Sequence, residues 1–117
     1  MQAVNRTVIR ISEAYSKTPG PRYIIEGPFS GEKLRQEILL SRIVSAIEGN
    51  GKILIDLDGT AGYGTSFLEE AFGGLLRVNN IPYEQLEKTL EFKSDEEPYL
   101  IQDVWEYMKD AHDKKQI

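Results

Sequence analysis

The 117-residue chain has the length of one domain, and its formal net charge of −5 argues against broad binding to nucleic-acid phosphates, which requires clustered Lys and Arg. It has no Cys and one His, which excludes disulfides and zinc sites built on those ligands. The N-terminal MQAVNRTVIR lacks the apolar core of a signal peptide and no run is long enough to span a membrane, so we expect a cytoplasmic protein without membrane or nucleic-acid partners.

The first half of the chain predicts a hairpin followed by a helix. Residues 4–12 alternate β-branched side chains and predict a strand. The run KTPGPR (17–22) predicts a turn, and YIIE (23–26) predicts a second strand that pairs with the first. Ser30 is a suitable N-cap for a helix that should end around residues 48–51, where two glycines flank an asparagine.

The second half predicts a buried strand and three further helices. Residues 52–57 form a nearly continuous apolar strand, and a Gly-rich loop (58–64) leads into a helix over residues 65–77. A short helix and an edge strand (89–93) follow, and a final helix covers residues 98–113. This order of elements predicts one α/β domain, residues 1–117, with a mixed sheet.

The predicted helix 65–77 separates core residues from charged ones. Its core residues are expected to be Phe67, Leu68, Phe72, Leu75 and Leu76. Glu69 and Glu70 are adjacent, so their side chains should diverge by about 100° and cannot form a close carboxylate pair. We expect one of them to contact the loop N–H groups or Arg35 and the other to be solvated. Arg35 and His112 are expected at the surface.

The stretch ILIDLDGT (53–60) supports an enzymatic alternative. It is similar to the motif that opens the phosphoryl-transfer site of haloacid dehalogenase phosphatases, in which Asp56 would be the nucleophile and Asp58 the acid/base, both holding Mg²⁺. Residues two apart on a strand point the same way, so the spacing suits that chemistry. The family's later Lys and acidic pair have no counterpart in the 57 residues after Thr60, which leaves this reading as the alternative.

The glycines of the loop support a second alternative. Gly59, Gly62 and Gly64 precede a helix N-terminus, where free N–H groups and the helix dipole favour anions. A small phosphate or nucleotide ligand could bind there. The loop lacks the Gly-Lys-Ser/Thr of a P-loop.

Three segments together resemble a known family: GPFSGEKLRQEIL, ILIDLDG and TSFLEEAFGGLLR, within residues 23–80. They are similar to the STAS-like domain family of unknown function, related to anti-sigma factor antagonists. The resemblance implies a sheet of four to five strands with helices mainly on one face. It aligns Asp56 with the acid at the strand end and Thr65 with the regulated Ser of the antagonists. Gly64 stands where they have Asp.

The resemblance also implies a function without catalysis, metal or cofactor. The chain would be a regulatory adaptor that binds a protein partner of the histidine-kinase-like ATPase type. Thr65 or Ser66 would be an N-cap hydroxyl and the phosphoacceptor. The implied partner-binding residues are Asp58, Gly59, Thr60, Gly62, Tyr63, Gly64, Glu69 and Glu70. Two positions are possible for the Tyr63 side chain: it could be exposed and contact the partner, or its ring could fold back on the sheet edge.

Overall fold

The computed structural model describes residues 6–115, and within that span the fold is built on a three-stranded parallel sheet. The strands are β1 (Arg6–Arg10), β2 (Lys52–Asp56) and β3 (Leu90–Lys93), in the order β1-β2-β3. Both neighbouring pairs run parallel. Parallel neighbours need long crossover connections, and here helices supply them.

The described part of the chain contains five helices. They are α1 (Ile11–Ala14), α2 (residues 31–48), α3 (residues 65–77), α4 (Tyr83–Thr89) and α5 (Tyr99–Lys115). Two of them contain a π-turn, Arg35–Leu39 in α2 and Glu69–Gly73 in α3. A π-turn has i→i+5 hydrogen bonds, is rare, and is frequently found at functional sites. None of the helices between residues 6 and 115 has both the length and the apolar character needed to cross a membrane.

The sheet buries one of its faces. Ile9, Ile55 and Phe92 are aligned across the three strands, and the two isoleucines are fully buried. Val8, which points to the opposite face of β1, is exposed. Because side chains alternate between the faces of a strand, this pattern indicates that the hydrophobic core lies on one side of the sheet.

The predicted mixed sheet of four to five strands is wrong, and so is the predicted hairpin. Residues 23–26 do not form a strand; Ile24–Glu26 is a 3₁₀ turn. The N–H of Tyr23 donates to Glu26 Oε1 and that of Ile24 donates to Glu32 Oε1, both at 2.9 Å. These carboxylates take the backbone donors that a hairpin would need, and β1 pairs with β2 instead.

Most of the other predicted elements are confirmed within two or three residues. The strand predicted over residues 4–12 is observed over Arg6–Arg10, and residues 4–5 lie outside the described range. Ser30 caps α2, since its Oγ accepts from Lys33 N at 3.0 Å. All five predicted core residues of α3 are buried. His112 is half-buried rather than at the surface, its ring 5.5 Å from that of Tyr83.

Candidate functional site

The β2–α3 loop begins at the carboxyl edge of the sheet, where Asp56 closes its first turn. Asp56 Oδ1 accepts from Asp58 N at 2.9 Å, the bond of an Asx-turn. The other oxygen, Oδ2, lies 3.7 Å from Arg10 Nε at the end of β1. Asp56 therefore connects two strand ends and fixes the direction in which the loop leaves the sheet.

Asp58 joins this loop to the turn that follows β3. Its carboxylate is buried and accepts from Lys93 Nζ at 2.8 Å, Asp95 N at 3.1 Å and Glu96 N at 2.9 Å. The Lys93 ammonium, and after it the Glu96 N–H, lower the pKa of Asp58 from 3.8 to about 2. In return, Glu96 Oε1 accepts from Gly59 N at 2.7 Å. The two loops thus hold each other through reciprocal carboxylate-to-backbone bonds.

This geometry does not support the phosphatase alternative. Both oxygens of Asp58 are occupied by an ammonium and two backbone N–H groups. Among residues 6–115, no group of three or more His, Cys, Asp or Glu side chains is arranged to hold a metal ion, whereas the proposed mechanism needs a third acidic ligand. Asp56 and Asp58 shape the loop.

Three backbone N–H groups of the loop are already bonded within the protein. Gly59 N donates to Glu96, Ala61 N donates to Lys17 O at 2.8 Å, and Gly62 N donates to Thr60 Oγ1 at 3.2 Å. Gly59 has φ +92°, and a Cβ there would lie 2.8 Å from Ser12 Oγ, so the position requires glycine. These three N–H groups are therefore not free to bind a phosphate, and only those at the start of α3 have no intrahelical partner.

The Tyr63 ring folds back on the sheet edge, which is one of the two positions predicted for it. Its hydroxyl donates to Leu57 O at 2.9 Å, and its ring lies 5.8 Å from that of Phe67. Burial raises the pKa of the Tyr63 phenol well above its ordinary value. Tyr63 therefore anchors the loop to the start of α3.

Thr65 and Ser66 are exposed, but neither is the N-cap that the sequence predicts. Gly64 occupies the N-cap position with φ −76° and ψ 150°, and it has no side chain with which to cap. The first intrahelical bond of α3 runs from Leu68 N to Gly64 O at 3.2 Å. Thr65 and Ser66 consequently stand at the first two helical positions, beside N–H groups that have no intrahelical partner.

Arg35 and Glu70 form a buried ion pair between α2 and α3. Arg35 Nη1 donates to Glu70 Oε2 and to the Glu70 backbone oxygen, both at 2.6 Å. Both residues are almost fully buried, so the predicted surface position of Arg35 is wrong. The lack of a side chain at Gly74 leaves room for the buried Arg35 guanidinium, since a Cβ at position 74 would lie 2.8 Å from Arg35 Cζ. The Gly-Gly pair inside an apolar helical run was the sequence signal for this close approach.

Glu69 and Glu70 share two further arginines, contrary to the prediction that one of them is solvated. Glu69 accepts from Arg22 and from Arg77 Nη1, the latter at 2.6 Å, while Arg77 Nη2 reaches Glu70 Oε1 at 3.1 Å. Burial alone would raise the pKa of Glu69, but the arginine bonds outweigh it and lower that pKa. Both glutamates lie in the π-turn of α3, whose wider turn departs from the α-helical spacing on which the prediction depended.

One family matches the chain: the family described as a STAS-like domain of unknown function (DUF4325) covers residues 30–100, from the N-cap of α2 to the start of α5. Searches of characterised proteins and of solved structures gave no match. The matched region includes β2, the β2–α3 loop, α3 and β3 and spans more than half of the chain, whereas Arg10, Lys17 and Arg22 of the site lie before it. The chain therefore belongs to the STAS-like domain family of unknown function.

Proposed function

We propose that this protein is a non-enzymatic regulatory adaptor that binds a protein partner through the start of α3 and the loop before it. Membership of a STAS-like family suggests a regulatory protein-interaction module. The observation that carries the proposal is the exposure of Thr65 and Ser66 at the start of α3, directly after a loop held by carboxylates and backbone bonds. A rigid loop loses little conformational entropy when a partner binds.

The docking face is narrower than the set of residues predicted from the sequence. Asp58 and Glu70 are buried and accept hydrogen bonds from protein donors, so they stabilise the docking face but cannot contact a partner. The exposed part consists of Ala61, Gly64, Thr65 and Ser66. It presents hydroxyls and backbone without a fixed charge of its own, which leaves room for a charge-adding modification to alter binding.

We infer further that the partner is a histidine-kinase-like ATPase that phosphorylates Thr65 or Ser66. A phosphate there would stand beside the free N–H groups at the positive end of the α3 dipole, a favourable position for an anion. The nearby carboxylates of Glu69 and Glu70 are already paired with Arg22, Arg35 and Arg77, so their repulsion of the phosphate is reduced.

Site-specific photo-crosslinking tests the docking face. A benzophenone amino acid placed at position 66 should capture a partner protein in the native cell. The same residue at position 78 is the matched control, because Val78 is also exposed but lies just beyond the opposite end of α3. The proposal expects a protein captured from 66 and not from 78. Capture of nothing, or of the same proteins from both positions, would contradict it.

Phosphorylation is tested separately with the protein captured from position 66, after purification. Incubation with that protein and ATP should add a phosphate that mass spectrometry locates at Thr65 or Ser66. The double variant Thr65→Ala/Ser66→Ala should gain none. If phosphate were found at other residues, or if the captured protein transferred none, the switch would be wrong although the docking face could stand.

A further inference from the structure

The loop between α1 and α2 exposes four large apolar side chains within seven residues. Tyr23, Ile24, Ile25 and Phe29, here called the apolar tip, are 44%, 47%, 93% and 39% exposed. Ile25 is the most exposed large hydrophobic residue of the described chain. We infer that the apolar tip inserts into an apolar pocket of the same protein partner that binds the start of α3. This inference rests on the proposed function and adds the hydrophobic anchor of that interface.

The apolar tip is held in place by backbone hydrogen bonds, and the Phe29 ring also packs edge-on against Tyr15 at 5.7 Å. Glu26 and Glu32 accept from the N–H groups of Tyr23 and Ile24. Glu26 N donates back to Tyr23 O at 3.0 Å. The turn therefore presents Ile25 to solvent in one fixed conformation. A preorganised apolar side chain of this kind loses little entropy on binding, as the anchor residues of interfaces require.

The tip and the α3 docking face belong to one continuous surface. Lys17 O, on the same loop as the tip, accepts from Ala61 N at 2.8 Å. Arg22, which directly precedes the tip, binds Glu69 of α3. A partner that covers Thr65 and Ser66 is thereby placed next to the tip.

The exposed area of the tip is smaller than the area that one protein contributes to a stable interface. Taking about 200 Å² for a large side chain, the tip offers roughly 400 Å², about half of the roughly 800 Å² that each partner contributes to a standard stable interface. It is too small to hold any protein partner by itself, and a stable interface therefore has to include a neighbouring surface. Combined with the adjacent α3 face, it approaches the area that a separate partner needs.

Charge argues against a membrane as the occupant. Around the tip, Lys17, Arg22 and Lys33 are balanced by Glu26, Glu32 and by Glu69, which pairs with Arg22, so the tip has no excess of basic charge. Anionic lipid headgroups attract basic segments and repel acidic ones. An apolar pocket on a protein therefore suits the tip better than a lipid surface.

The test is the affinity of Ile25→Arg for the purified protein captured from position 66. We expect binding at least tenfold weaker than that of the native chain, with an unchanged melting temperature because Ile25 is almost fully exposed. Val78→Arg, an equivalent change of an exposed residue outside the surface, should bind within twofold of the native chain.

The possible failures are distinguishable. If position 66 captures no partner, the proposed function itself fails. If it captures one whose affinity Ile25→Arg leaves unchanged, only the role of the tip is overturned. The same conclusion follows if Ile25→Arg abolishes a dimer seen by sedimentation velocity, or abolishes pelleting with vesicles of phosphatidylcholine and phosphatidylglycerol, because the occupant would then be a second copy or a lipid surface.

Discussion

Replacing Glu70 with leucine removes the carboxylate that neutralises a buried arginine. Arg35 Nη1 would keep its 2.6 Å bond to the Glu70 backbone oxygen but lose the equal bond to Oε2. Arg77 would lose its 3.1 Å contact with Glu70 Oε1 as well. Arg22, Arg35 and Arg77 would then share a single glutamate, Glu69, and the charge of Arg35 would be enclosed between α2 and α3 without a carboxylate partner.

Breaking a buried ion pair by removing one partner costs about 3–5 kcal/mol. This is a large share of the roughly 5–15 kcal/mol by which a domain is stable. We therefore expect Glu70→Leu to lower the free energy of unfolding by about 3–5 kcal/mol. The double variant Arg35→Met/Glu70→Leu should recover most of that loss, because apolar replacements of a buried pair are often neutral.

Urea denaturation followed by the fluorescence of the single Trp provides the measurement, and a double-mutant cycle separates the coupling between the two residues. Glu37→Leu, a change of an exposed glutamate on α2, is the matched control and should cost less than about 0.5 kcal/mol. A cost of Glu70→Leu no greater than that of the control, or a double variant less stable than either single variant, would contradict the buried-charge explanation.

Three further predictions concern the same region. Gly74→Ala should destabilise the fold although alanine favours helices, because the new Cβ would lie 2.8 Å from Arg35 Cζ; thermal unfolding would show a lower melting temperature, and an unchanged one would contradict the close approach. Gly59→Ala should lower the unfolding free energy by about 1–3 kcal/mol through its φ of +92°, which urea titration measures. The folded-state pKa of Asp58 is about 2, below its ordinary 3.8, so its stabilising contribution is present above pH 3.8 and is lost as pH falls towards 2; Asp58→Asn should flatten the pH dependence of stability across that window, and an unaltered slope would show that Asp58 is not its source.

Local patterns in the sequence were sufficient for most of the elements. Apolar periodicity located the two helices around the site and the last helix, and the N-cap at Ser30 was correctly placed. The core residues of α3 and the family followed from the same stretches. These features depend on residues within a few positions of one another, so the information for them lies in short segments.

The tertiary structure alone decided the roles of the charged residues and of the YIIE segment. Arg35 is buried because Glu70, 35 positions away, and a gap at Gly74 receive it. Asp58 is a structural acceptor because the turn after β3, 37 to 38 positions away, supplies its donors. Residues 23–26 stay outside the sheet, since Glu26 and Glu32 take two of their backbone donors and β1 pairs with the distant β2. Spacing along the chain predicts which side chains share a face, but the energy of a buried charge or a backbone N–H depends on partners that only folding brings within hydrogen-bond distance.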